Sequence, residues 1–408
     1  MTRSAAPASG AVPPRMLLIS ASDYQSAVIK GVASMLAEFD EGGFFDRVLI
    51  AFPFARTTTS VNVSERVAVR DMGTDWLPFG SRRMARRAGA PLHLARAVAD
   101  LVRSVRRDQI AIVRATDPCF SGAIGWLVAK IARRPFCVSI HADFDKRHAV
   151  GGASAGATLL GSRALARRVE RFVLRRADMV MPIRVSLREY ALRYGVLEDR
   201  IRVIPHGTDL DAFVRATGEG VRDELRIPAG KKIISFAGRL VRENYVDDVI
   251  ALARRLVATR DDFVVVMAGG GLEETRLRAL VESDAVLGRV VRLAGFVPRA
   301  TVAGLRRISD VSLCLMGGFS LIEACAAASP VIAYDVEWHA ELVSDNETGV
   351  LVKEHDLDTL EAEANRLLDD RALGQRLGAA ARMQAVLSHD LQLTRAIKQQ
   401  CYADVMRG

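Results

Sequence analysis

At 408 residues the chain is too long for one ordinary core and suits two domains of ~200 residues each. Half of its residues are hydrophobic and 6% aromatic, the balance of a soluble α/β protein, and no apolar run reaches the ~20 residues a membrane-spanning helix needs. The net charge of +9 is unevenly placed: residues 1–205 carry 32 Lys and Arg against 18 Asp and Glu, a balance of +14, and the remainder, 25 against 30, stands at −5.

The first fifteen residues are rich in Ala, Pro and Ser and read as a disordered tail. The apolar stretch 16–21 is too short for a signal peptide. A strand over 15–21 precedes a helix over 26–39 and a strand over 47–52. Residues 91–107 read as helix, 109–115 as strand, 121–133 as helix and 136–141 as strand. The small-residue stretch 150–161 reads as a mobile loop. A helix over 163–176, a strand over 179–183, a helix over 185–194 and a strand over 201–207 complete the first half. Strands separated by helices of this length argue for βαβ units and a parallel sheet. Ligands in such sheets collect at the carboxyl ends of strands. The polar ends there are Ser22-Asp23, Thr116-Asp117, His141-Ala142-Asp143 and Pro205-His206-Gly207.

Two clusters carry the positive charge of this half. Arg82, Arg83, Arg86 and Arg87 are followed by Arg96, Arg103, Arg106 and Arg107. The second cluster is Arg163, Arg167, Arg168, Arg171, Arg175 and Arg176. Both are interleaved with Leu, Ala and Val at helical spacing, which makes amphipathic basic helices. They suit a solvated face or an anionic membrane surface. No aromatic residues are interleaved for base stacking, so nucleic acid is not an expected partner.

The second half repeats the alternation. Strands are expected over 232–239, 263–268, 290–296, 310–316, 331–334 and 349–352. Helices are expected over 246–259, 273–282, 300–308, 358–369 and 372–387, and again over 389–406. The result is two doubly wound domains, 16–207 and 208–388, with a final helix, 389–408. Cys119, Cys137, Cys314, Cys325 and Cys401 lack C-x-x-C spacing and mostly sit in apolar runs, as reduced, buried thiols of a cytoplasmic protein do.

The stretch 317–335, GGFSLIEACAAASPVIAYD, carries the most chemistry. Glycines feed a short helix, and a helix start offers unpaired N–H groups together with the positive end of the helix dipole. That combination is an anion site, typically for phosphate. Glu323 falls about one turn in, where a carboxylate reaches the hydroxyls of a ribose attached to that phosphate.

Laid out in order, the second half resembles the retaining glycosyltransferase family 4, whose GT-B architecture faces two Rossmann-like domains. The resemblance rests on 203–213 (VIPHGTDLDAF), 236–243 (FAGRLVRE), 267–271 (MAGGG), 291–298 (VRLAGFVP) and 309–313 (SDVSL). It continues through 323–336 (EACAAASPVIAYDV) and 341–352 (ELVSDNETGVLV), and reaches the first half only in layout. It implies a nucleotide-sugar donor, a glycan or lipid-linked acceptor, retention of anomeric configuration and no metal or other cofactor. It assigns Arg239 to the leaving diphosphate and His141 to the neighbourhood of the transferred sugar. Asn244, Gly318, Phe319, Ser320, Glu323 and Phe296 fall on the donor side, and Ser22, Asp23 and Asp143 on the acceptor side. The cleft between the domains would close on both substrates, with the last helix crossing back to the first domain. Cytoplasmic work in cell-surface polysaccharide or lipopolysaccharide synthesis follows, on the cytoplasmic face of a membrane touched by the basic half.

The chain departs from the family in three places. Asn244 stands where a lysine is usual and Tyr245 where a glycine is common. Leu315 occupies the position of the first of two glutamates spaced eight apart. The loop at 20–27 lacks a frequent glycine pair. Two alternatives therefore stay open: a non-catalytic nucleotide-sugar or glycan-binding relative, and a GT-B nucleotide-sugar epimerase.

Overall fold

The computed structural model of the chain describes residues 13–29, 33–74, 83–149 and 162–408. Most of the expected tail, the stretch 150–161 and Arg82 lie outside them, and of Arg83, Arg86 and Arg87 only the backbone is described. Two compact units form, one from the residues up to Pro205 together with Thr394–Gly408, the other from His206–Leu393. The division falls two residues before the expected boundary, and the last helix, Leu391–Arg407, begins in the second unit and continues in the first.

The first unit is built on seven strands: β1 (Arg15–Ile19), β2 (Arg47–Phe52), β3 (Thr59–Asn62), β4 (Val67–Asp71), β5 (Ile112–Ala115), β6 (Phe136–Ile140) and β7 (Met179–Pro182). Their order is β3-β4-β2-β1-β5-β6-β7, parallel except for β3. The chain winds outward from β1 in both directions, so the topological switch lies between β1 and β5. The β3–β4 hairpin was not among the expected elements, although Val61, Val63, Val67 and Val69 alternate as half-buried strands do. Two expectations are corrected. Residues 201–207 form no strand: Arg202 N and Ile204 N donate to Val180 O and Pro182 O at 3.0 and 2.9 Å, and the pairing amounts to one isolated bridge, Val180 with Ile201, at the end of β7. The helix expected over 26–39 is a helix at Tyr24–Ile29 and a separate 3-10 turn at Ala33–Asp40.

Both faces of this sheet are covered, and Leu17, Ile19, Val113, Val138 and Ile140 are fully buried. Each such side chain contributes roughly 1.5–3 kcal/mol by leaving water. Charged side chains are buried in this unit too. Arg114 on β5 donates to Tyr402 OH at 2.7 Å and to Ser139 Oγ at 3.1 Å, and faces Glu41 at 3.6 Å. The last helix completes the enclosure: Lys398 Nζ lies 3.3 Å from Glu41 Oε2, and the Gln399 amide donates to Glu41 O. The second arginine cluster divides in two. Arg163 is buried against Glu170 (2.5 Å) and Asp145 (3.1 Å), and Arg167 pairs with Asp145 at 2.6 Å. Arg168, Arg171, Arg175 and Arg176 remain exposed.

The second unit repeats the plan with β8 (Lys232–Ala237), β9 (Phe263–Ala268), β10 (Val291–Gly295), β11 (Val311–Leu313), β12 (Val331–Tyr334) and β13 (Val350–Val352). All are parallel, in the order β10-β9-β8-β11-β12-β13, and the switch lies between β8 and β11. A buried serine chain pins this point: Ser309 Oγ donates to Ser235 Oγ (2.8 Å), which meets Ser312 Oγ (2.8 Å), which meets Ser329 Oγ (2.6 Å). All five cysteines are free and buried, and burial pushes the Cys119 thiol up to about 12, so they stay protonated and unreactive. Among the described residues no helix is long and apolar enough to cross a membrane.

Candidate functional site

The carboxyl ends of β8, β9 and β10 and the loop after β11 surround a cavity of about 700 Å³ in the second unit. Depressions of about 530 and 460 Å³ lie elsewhere, the larger at the amino ends of β1, β2 and β4, away from the strand ends that bind ligands in such sheets. The 700 Å³ cavity is shaped by backbone contact. Gly269 has φ +137°, and a Cβ there would lie 1.9 Å from Gly238 O, so only glycine lets the two turns touch. Gly238 N donates to Ala268 O and Leu240 N to Gly270 O, which fixes the turn that carries Arg239. Arg239 is exposed, and its side chain has no ion pair among the described residues. Asn244 donates its amide to Arg239 O at 2.8 Å, so it braces this turn from inside the cavity.

The opposite wall is the start of the helix Phe319–Ala326. Gly317 is held by His339, a fully buried side chain, whose Nε2 accepts from Gly317 N at 2.9 Å. Its Nδ1 lies 2.6 Å from Tyr334 O, to which that nitrogen donates, and its Nε2 also lies 3.2 Å from Gly317 O. A Cβ on Gly317 would meet Leu321 Cβ at 2.4 Å, which explains the glycine. The next amides, of Gly318, Phe319 and Ser320, precede the helix ladder and face the cavity with the positive end of the dipole.

Glu323 lies one turn further and lines the same space. Burial raises its pKa above the ordinary value, and Arg306 and Arg299 work against that rise. Arg306 Nη2 is 3.7 Å from Glu323 Oε2. Arg306 also donates to Ser320 O, to Ser320 Oγ at 2.9 Å and to Ala237 O at 3.3 Å. Sequence reasoning missed this residue; it stands beside exposed Arg307 in an amphipathic helix, where only packing decides which arginine turns inward. Phe296 stands at the rim, 92% exposed. Arg239, Asn244, Phe296, Gly318, Phe319, Ser320 and Glu323 all line this one cavity. An exposed guanidinium, three free amides, a carboxylate and a bare aromatic ring together suit a nucleoside diphosphate.

The residues singled out in the first half lie in the other unit. Ser22 and Asp23 follow β1, and His141 and Asp143 follow β6, all at carboxyl ends of its sheet. Asp23 accepts from Ser26 N (2.7 Å) and Ser26 Oγ (2.8 Å), capping its helix. Asp143 accepts from Asp145 N and Lys146 N and pairs with Arg193 at 2.6 Å. Both carboxylates are thus engaged locally. Asp117, after β5, accepts from Cys119 N at 2.9 Å, and burial raises its pKa. Among the described residues no three His, Cys, Asp or Glu side chains gather as a metal site.

Comparison with known proteins agrees with this geometry. Residues 219–384 match the family model described as glycosyl transferases group 1, and residues 56–212 match that of glycosyltransferase family 4. A D-inositol 3-phosphate glycosyltransferase of Nocardia farcinica is 31% identical over 64% of this chain and 59% of its own length. One from Nocardiopsis dassonvillei is 30% identical over 55% of this chain and 54% of its own, so the match spans little more than half of these relatives. A glycogen synthase of Mycobacterium tuberculosis is 27% identical over 74% of this chain and 73% of its own. Among solved structures, HepE of Anabaena in complex with UDP superposes with a TM-score of 0.69 at 17% identity, over 96% of this chain and all of its own.

Proposed function

Starting from a chain that belongs to the family 4 glycosyltransferases and shares their GT-B fold, we propose that it transfers a sugar from a nucleotide-sugar donor to a glycan or lipid-linked acceptor with retention of anomeric configuration. The observation that carries this reading is the gathering of Arg239, the amides at 318–320, Glu323 and Phe296 around one cavity at a topological switch. In the reaction the anomeric C–O bond breaks and its electron pair goes to the leaving diphosphate. The acceptor hydroxyl's oxygen bonds to the anomeric carbon on the face that the diphosphate leaves, and its proton passes to the departing diphosphate oxygen. Arg239 and the amides meet the charge as it develops, without a metal ion. Glu323 takes the ribose hydroxyls, Phe296 stacks on the base, and Asn244 keeps the Arg239 turn in place. The family resemblance is what proposes His141 for the transferred sugar and Ser22, Asp23 and Asp143 for the acceptor. HepE is seen with UDP, so a uridine nucleotide is the first donor to test. The acceptor belongs to cell-surface polysaccharide or lipopolysaccharide synthesis and is met at the cytoplasmic face of an anionic membrane.

The test is thermal unfolding with nucleoside diphosphates and nucleotide sugars. A favoured ligand at a hundred times its Kd adds roughly 2.7 kcal/mol, several degrees in Tm for a unit of this size. Arg239→Ala should remove most of the shift and slow transfer ~100-fold or more. If no nucleotide moves the melt, or a folded Arg239→Ala protein keeps its kinetics, the assignment of this cavity is wrong.

A further inference from the structure

We infer that Arg306 is the fixed buried cation of the donor cavity, a positioning residue that ties the helix start to the end of β8 and supplies the positive potential there. This rests on the donor reading above and adds a charge to it. Arg306 is only 2% exposed and comes from Arg299–Ile308, a helix that contributes neither the Arg239 turn nor the glycine loop. It donates to Ser320 O and Oγ and to Ala237 O, while Ser320 Oγ donates to Ala237 O at 2.6 Å. One guanidinium thus joins three elements at the place where the free amides begin. Its Nε is buried with no hydrogen-bond partner, so the group is not there for hydrogen bonding alone.

The cations of the cavity make the case. Arg239 is exposed, and its charge is screened by water and salt. The lining position opposite, Asn244, is neutral, and its amide is engaged with Arg239 O. Arg306 is the cavity's other arginine, and burial shields its field from solvent. A diphosphate seated on the amides of 318–320 lies one residue from the atoms Arg306 holds. The groups facing Arg306 are Glu323 at 3.7 Å and the Cys314 thiol at 3.9 Å. Among the described residues Glu323 is the carboxylate facing Arg306, and it is shared with Arg299, so the guanidinium's charge is only partly offset. Arg306 therefore acts through Ser320 and Glu323 and through space, without touching the reacting atoms.

The experiment measures UDP affinity of the full chain by calorimetry at low and high salt. Arg306→Met should weaken binding by about tenfold or more. Adding Asn244→Lys to that variant, which returns a positive charge to the cavity by another route, should recover a large part of the loss, with a steeper salt dependence. The Asn244→Lys single variant sets the baseline: a purely structural staple gains no more from the lysine than wild type does, so an equal gain in the two backgrounds overturns the inference, as does an Arg306→Met protein that binds within twofold of wild type. If Arg306→Met does not fold, Arg306→Lys decides: affinity within about threefold of wild type supports a charge role, and a loss above about tenfold overturns it. Wild type that binds no nucleoside diphosphate at any salt would fail the donor reading itself, a distinct result.

Discussion

Glu323 sits between two opposing influences, burial that favours its protonated form and the two arginines that favour the carboxylate. Its folded pKa is raised, so by itself it favours the fold below the ordinary glutamate pKa and loses that contribution as pH rises through the raised value. Ribose hydroxyls donate to the ionised form, so nucleotide binding should strengthen over the same rise in pH and then level off. We expect Glu323→Gln to weaken nucleotide-sugar binding by about tenfold and to flatten this pH dependence. Calorimetry with a nucleotide sugar, whose diphosphate does not titrate in the range, gives the comparison. Parallel pH curves for wild type and variant would take Glu323 out of the ribose site. Such residues were legible in the sequence where one position sets the chemistry: Glu323 follows a glycine pair at a helix start. Arg306 was not, because nothing local separates it from Arg307; the buried side of its helix is set by packing against the end of β8, distant in the chain, and against the glycine loop that follows the next strand.

The last helix shows what one element can hold. Tyr402 is fully buried, packs on Phe45 at 5.2 Å between centroids and accepts from Arg114. Tyr402→Phe keeps the ring and removes the acceptor, leaving a buried guanidinium N–H unsatisfied at a cost of about 1–3 kcal/mol. Denaturant unfolding should show this loss in the transition of the first unit, while UDP affinity, carried by the second, stays unchanged. An unaltered midpoint would mean that another group takes over the Arg114 bond. Elements were read well where burial is two-sided. The runs at Phe263–Ala268 and Val331–Tyr334 are continuous and apolar because parallel strands are covered on both faces, and they fall where expected. The β3–β4 hairpin escaped notice because an edge pair with mostly exposed β3 residues carries only a weak alternation. Residues 201–207 misled for the opposite reason: an apolar, β-branched run lies beside β7 but makes only one isolated bridge to it.

At the scale of the molecule the charge is lopsided, and the structure sorts which arginines are available. Arg163 and Arg167 are committed to Glu170 and Asp145, leaving Arg168, Arg171, Arg175 and Arg176 outward beside Phe172 and Leu165, 37% and 41% exposed. The adjoining helix Phe120–Ala132 adds exposed Leu127, Ile131 and Lys130 and has no acidic side chain. Each basic residue at an anionic surface contributes about 1 kcal/mol, enough together for reversible attachment. The chain should therefore sediment with anionic but not neutral vesicles, less so as salt rises, and changing Arg168, Arg175 and Arg176 to glutamine should release it with UDP affinity intact. A wild-type protein left in the supernatant at low salt would point to a soluble acceptor instead. A final consequence concerns synthesis. The piece that covers Arg114 and Glu41 follows every residue of the second unit in the chain. A ribosome adds roughly 5–20 residues per second, so on the order of ten seconds or more pass between the first sheet leaving the exit tunnel and its cover arriving. During that wait the nascent first unit keeps an open seam over a buried charge, a natural place for a chaperone to hold on.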